Sequence, residues 1–147
     1  QYALGVYLEN GEHVTQNFDF AKHWFELAAN QNHVPARARL GFMYYQGQHV
    51  NRDYTAAAAW LQKAARHNDS LSQIMLAYLY HTGNGVPLSY EQAYMFYKLA
   101  SASPVASTRT AALKGLGTIE RGMTKGQIAR AEDAAIEWRK QYPAPSN

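Results

Sequence analysis

The residues most able to do chemistry in this 147-residue chain are its six histidines, His13, His23, His33, His49, His67 and His81. An imidazole ligates metals or moves protons near neutral pH, but either task needs a second group held close by. No H-x-x-x-H or H-E-x-x-H spacing puts two of them on one helical face. There is no cysteine, which removes disulfides, thiolate metal sites and a cysteine nucleophile together. No Ser-His-Asp order or nucleophile elbow is readable, and Gly115 and Gly117 beside Lys114 follow no predicted strand, so they make no phosphate loop. The sequence therefore nominates no catalytic residue, no metal ligand and no cofactor. What remains is recognition chemistry: 11 Tyr, 5 Phe and 3 Trp, side chains that bury large area at little entropic cost.

Self-comparison discloses the elements that position those aromatics. A shift of 36 residues, without a gap, lays Leu4, Gly5, Gly11, Val14, Phe18, Ala21, Trp24, Ala28 and Ala29 onto Leu40, Gly41, Gly47, Val50, Tyr54, Ala57, Trp60, Ala64 and Ala65. A second shift of 36 carries Leu40, Tyr44, Gly47, Val50, Tyr54, Ala57, Trp60 and Ala64 onto Leu76, Tyr80, Gly83, Val86, Tyr90, Ala93, Phe96 and Ala100. A period of roughly 20 to 50 residues marks units that cannot bury their apolar face alone and so stack in a row.

Each unit predicts two helices. In the second, Ala36, Leu40, Tyr44 and Gly47 follow an i, i+4 ladder, and Ala57, Trp60, Leu61, Ala64 and Ala65 mark one face of the next segment. The loop 46–52 lies between, with Asp53 placed to cap the second helix. In the third, Gly83, Gly85 and Pro87 precede a cap at Ser89. Gly5, Gly41 and Ala77 let helices approach closely, and Trp24, Trp60 and Phe96 are expected to supply the bulk opposite. Those three, with Tyr44 and Tyr80, are assigned to the core because every unit needs them in the same place. The period fades after Ala102: a helix over 108–121 and another capped by Thr124 should cover the last full repeat. The expected organisation is one domain over 1–142, with units at about 1–31, 32–67 and 68–103, capping helices over 104–140 and a tail over 143–147. Gln1 aligns with Arg37 inside a helix, so further repeats are expected before it.

Composition agrees with a packed module. Hydrophobic residues make up 47% of the chain, and 14 basic and 11 acidic residues, net +3, are spread without blocks, so no nucleic-acid-binding tail is read. No run approaches the roughly 20 apolar residues of a membrane span. No targeting segment is read at the start of the chain, so one is expected to be absent or removed.

These residues resemble the Sel1-like repeat family, a subclass of TPR-like helical repeats, whose unit runs roughly A-x-x-x-L-G-x-x-Y-x-x-G-x-G-V-x-x-D-x-x-x-A-x-x-W-x-x-x-A-A. Ala36, Leu40, Gly41, Tyr44, Gly47, Val50, Asp53, Ala57, Trp60, Ala64 and Ala65 match it. The resemblance implies an all-α, right-handed superhelix of antiparallel helix pairs that works as an adaptor. It also implies a bacterial source, with a periplasmic or secreted setting favoured over a cytoplasmic one. One departure stands out: the second loop glycine is His13 and His49 in two units and stays Gly85 in the third, a change histidine can bear because it tolerates the left-handed region better than most residues.

With Ala36, Leu40, Gly41 and Tyr44 turned toward the partner helix, a second face is left over that should line the concave surface. Its members are Val6 and Glu9, then Arg39, Phe42 and Tyr45, then Met75, Tyr78 and His81. Phe42 and Tyr78 fit either a contact stripe or an inter-repeat core by spacing alone, whereas Tyr45 and Arg39 read as exposed. The function expected is a scaffold binding a protein or peptide there. An immunity or regulatory protein sequestering one partner is the alternative within that class. Binding glycan or peptidoglycan, or acting on the cell wall as a β-lactamase-like protein does, is the reading outside it.

Overall fold

The 36-residue period folds into successive helix pairs. The computed structural model describes residues 1–11 and 13–145, and every regular element among them is a helix. The pairs are α1 (Tyr2–Asn10) with α2 (Phe18–Asn30), α3 (Val34–Gln46) with α4 (Tyr54–Ala65), and α5 (Ser70–Thr82) with α6 (Tyr90–Ala100). Then come α7 (Ala106–Glu120) and α8 (Lys125–Gln141). Val34, Ser70 and Ala106 open α3, α5 and α7 at intervals of one repeat, so α7 stands in the register of a fourth first helix.

The hairpin loops share their turning points among the described residues. Gly11, Gly47 and Gly83 end the first helices in the left-handed conformation, φ 72°, 69° and 71°, where a side chain would be strained. Two residues on, His13, His49 and Gly85 return to that region, φ 60°, 62° and 69°, so the two histidines hold the backbone shape of the glycine they replace. Gly85 sits against the backbone of Tyr54 with no room for a Cβ, whereas the His49 ring stacks flat on Phe18. Asn17, Asp53 and Ser89 then cap the second helices, accepting from the N–H of Phe20, Ala56 and Gln92. Their own N–H groups donate back to the carbonyls of Leu8, Tyr44 and Tyr80 at 2.8, 3.0 and 2.9 Å. Tyr45 therefore meets Tyr54 near the loop while Gly41 meets Leu61 farther along, which makes the pair antiparallel.

The closest approach within a pair falls at one small residue. A Cβ on Gly41 would lie 2.6 Å from Leu61 Cγ, and one on Gly5 would lie 2.6 Å from Phe25 Cε1. The bulk opposite the glycines is thus Phe25 and Leu61, both fully buried, one position after the expected Trp24 and Trp60. Those tryptophans are half-buried, as are Tyr44 and Tyr80; of the five assigned to the core only Phe96 lies at its centre. The reason is angular: adjacent helical positions are about 100° apart, and the glycine contact claims the axis of the interface, leaving the tryptophan at its rim. There Lys63 Nζ lies 4.2 Å over the Trp60 ring. Between pairs, Leu40 and Met43 of α3 pack into the Ala21, Phe25, Ala28 and Ala29 face of α2, and Leu76 and Leu79 of α5 meet Ala57, Ala58, Leu61 and Ala65 of α4.

At the C-terminal end the pairing changes. Leu113 of α7 occupies the register of Gly5, Gly41 and Ala77, and its bulk prevents a second helix from lying as close. α8, started by a reciprocal Thr124–Gln127 capping box, packs along α6 instead. Trp138 meets Phe96 edge-on at 5.2 Å, Arg130 bonds Glu91, and Glu132 accepts from Tyr94 and Lys98. Leu113 is left 55% exposed. Asn68 donates to the carbonyls of Tyr142 and Pro143, which ties down the start of the tail; residues 146 and 147 of that tail lie outside the described residues.

This packing makes two outcomes testable. Gly41→Val should lower stability by about 1–3 kcal/mol in denaturant unfolding, because Leu61 cannot move without opening the pair. Tyr94 is held protonated to about 12, first by burial and then by the charges of Glu132 and Glu120. The unfolded chain gives up that proton near 10. The stabilisation is whole below pH 10 and fades as pH climbs toward 12, so melting curves should fall over that window and less steeply in Tyr94→Phe.

Candidate partner-binding face

Three residues per first helix lie off the line of the Gly5 and Gly41 contacts, and at the repeat period they form rows across the stack. One row runs Val6, Phe42, Tyr78 and Lys114; the next Glu9, Tyr45, His81 and Gly117; the third Ala3, Arg39, Met75 and Ala111. Six of the eight residues expected on this face meet in two groups, Glu9, Arg39, Phe42 and Met75 in one and Tyr45 with Tyr78 in the other. Val6 instead packs on the core of the first pair, and His81 lies against Tyr90.

Toward the N-terminal end, Arg39 reaches back from α3 to α1. Its Nε donates to Glu9 Oε1 and Oε2 at 3.2 and 2.9 Å, and its Nη2 to Oε2 at 2.5 Å. Glu9 is only 9% exposed, so the pair is a strut between units that satisfies a nearly buried carboxylate. Arg39, expected to be exposed, is half-buried, with its guanidinium 5.8 Å from the Phe42 ring centre. Beside it lies a depression of about 290 Å³ between α3 and α5, lined by Ala38, Phe42, Leu71, Met75 and, from α1, Tyr2. That volume takes one large apolar side chain.

Toward the middle, Tyr45 is half-buried instead of exposed because it is wedged between two rings, Tyr54 at 5.7 Å and Tyr78 at 6.2 Å, both edge-on. Tyr78 is 44% exposed and so is a surface residue, whereas Phe42 and Val6 are half-buried. Burial raises the Tyr45 hydroxyl above its ordinary value, with Tyr78 and Tyr54 adding and Arg52 opposing. Tyr97 is raised likewise by burial, then by Tyr78 and Tyr45. One unit on, His81 repeats the Tyr45 arrangement with Tyr90 at 5.7 Å.

Sequence reasoning missed Tyr54, Tyr97 and Leu71. Tyr54 carries a signal, since it recurs as Phe18 and Tyr90, but its place at the start of a second helix does not tell which face its ring reaches. Tyr97 reaches this group from α6 because Gly115 of α7 leaves room: a Cβ there would lie 2.5 Å from the Tyr97 ring. A larger open recess of about 670 Å³ lies at the loop edge around Lys22, Tyr44, His49 and Arg52, but Asp53 is committed to capping α4 and Lys22 to Glu26. Among the described residues no three His, Asp or Glu side chains gather as a metal site would require, and no helix is long and apolar enough to cross a membrane.

The Glu9–Arg39 strut yields a test: Arg39→Met, which leaves a nearly buried carboxylate without donors, should cost about 1–3 kcal/mol in urea unfolding, and adding Glu9→Gln should recover part of it.

Comparison with known proteins places these units. The family model described as Sel1 repeat matches three times, over residues 1–33, 34–69 and 70–104. A Sel1 repeat protein from Oxalobacter formigenes is 31% identical, with a TM-score of 0.70 over 77% of this chain and 85% of that one. A protective antigen of uropathogenic Escherichia coli that displays an SLR fold aligns with a TM-score of 0.68 at 24% identity, which speaks to fold alone. The alignment takes in 96% of this chain but only 37% of the antigen. No curated protein matches the sequence.

Proposed function

Since the chain belongs to the Sel1 repeat family, whose members generally serve as protein–protein interaction scaffolds, we propose that it holds a protein or peptide partner on the concave face formed by its first helices. The observation that carries this reading is Tyr78, an exposed aromatic packed edge-on against Tyr45, one repeat on from the half-buried Phe42 that borders the apolar depression. A preformed wall loses little entropy on binding, and an aromatic anchor in a pocket is where interface energy concentrates. The ionisable groups on this face support holding over turnover. Glu9 and Arg39 neutralise each other, and burial raises the Tyr45 and Tyr97 hydroxyls, which keeps both protonated at neutral pH and withholds the anion a general base would need. The Oxalobacter source of the relative that is 31% identical supports a bacterial origin.

The test separates contact from core. Tyr78→Ala should leave the melting temperature within a few degrees of wild type and cut partner affinity about tenfold or more, measured on whatever the wild type retains and the variant loses in a parallel pulldown. Leu61→Ala is the opposite control, expected to cost about 2–5 kcal/mol of stability. A Tyr78→Ala protein that binds as well as wild type while melting much earlier would make Tyr78 a packing residue and end this reading.

A further inference from the structure

We propose that the segment accepted on this face carries an apolar or aromatic anchor followed by a carboxylate, the anchor seated between α3 and α5 and the carboxylate paired with Lys114 of α7. The proposal rests on the scaffold reading and adds the chemistry of the partner.

The argument comes from what is charged along the three rows. Glu9 and Arg39 are bonded to each other, and Asp69 at the rim of the depression accepts from the N–H of Ser72 to cap α5. His81 lies edge-on to Tyr90. Lys114 alone continues the Val6, Phe42 and Tyr78 row as a full charge, and its ammonium has no acidic partner among the described residues. Its neighbours in the other two rows on α7 are Ala111 and Gly117, where the preceding units carry Arg39 and Met75 or Tyr45 and His81. Nothing lies within 4 Å of where a Cβ on Gly117 would be. Lys114 thus stands exposed, one turn from the open position at Gly117, on a wall that is otherwise aromatic and charge-compensated.

Packed helices stand about 8–10 Å apart, so Lys114 lies roughly 15 Å beyond an anchor seated between α3 and α5. Extended chain covers that in about four or five residues. An exposed ion pair adds little affinity, so Lys114 acts mainly by selection, favouring acid-bearing segments and repelling basic ones.

A random-peptide phage library panned on the wild type should enrich peptides with an apolar or aromatic residue and an Asp or Glu about four or five positions apart. Titrated as synthetic peptides, they should bind about tenfold more weakly to Lys114→Glu, less so to Lys114→Gln, and more weakly to Phe42→Ala. Replacing the peptide's acid by its amide should erase the difference between wild type and Lys114→Glu. Lys114 is exposed, so both variants should melt as wild type does. Enriched peptides that need Phe42 but lack a carboxylate, or that ignore Lys114→Glu, overturn this proposal and leave the scaffold reading standing. No enrichment, or peptides indifferent to Phe42→Ala and Tyr78→Ala alike, overturn both.

Discussion

In the first two pairs the first helix crosses its second at a point where one backbone touches one large side chain, Gly5 on Phe25 and Gly41 on Leu61. A contact that close fixes the rotation of both helices, because turning either by one position would put a Cβ where the partner's carbons already are. The rest is consequence. With Gly41 facing α4, Leu40 and Met43 must face the preceding pair, where the alanines of α2 receive them. Phe42, Tyr45 and Arg39 then have nowhere to go but the remaining face, so the wall proposed for binding is a by-product of how the core is phased.

Rigidity along the stack has a separate source. The repeated loop bond from the N–H of Asn17, Asp53 or Ser89 to a first-helix carbonyl locks the two helices of a pair at their shared end. The Glu9–Arg39 strut and the Tyr45–Tyr78 contact link first helices of successive pairs. These cross-links differ at each junction, ionic at the first and aromatic at the second, although the backbone repeats. A repeat protein thus keeps its scaffold uniform while varying the chemistry of the surface it presents.

Much of this is legible in the residues. The period locates every helix pair through residue 100, and Asp53, Ser89 and Thr124 read as caps from type and position alone. The left-handed loop position also comes through, because Gly85 in one unit exposes the constraint that His13 and His49 meet in the others. What stays hidden depends on angle and distance. Trp24 and Trp60 recur as faithfully as Phe25 and Leu61 pack, and recurrence cannot say which of two adjacent positions points along the interface axis. The engagement of Arg39 with Glu9 is also invisible, since the two stand thirty residues apart in rows that spacing can only mark as exposed. The face of Tyr97 turns on a glycine in a helix where the repeat motif has faded.

That faded unit shows how an array of this kind ends. α7 keeps the register of a first helix, and its Ala112, Leu116 and Ile119 are buried. It gives up the small residue that would admit a second helix, and Leu113 in that place turns α8 aside onto α6. The diversion does two things at once. It covers α6, where Phe96, Tyr94 and Lys98 would otherwise face water, with Trp138 and Glu132. It also leaves the Leu113 side of α7 without a partner helix, so the face carrying Lys114 and Gly117 borders no second helix of its own unit. The unit that closes the stack therefore contributes a fourth rung to its open face, with a charge that no acidic neighbour among the described residues takes up.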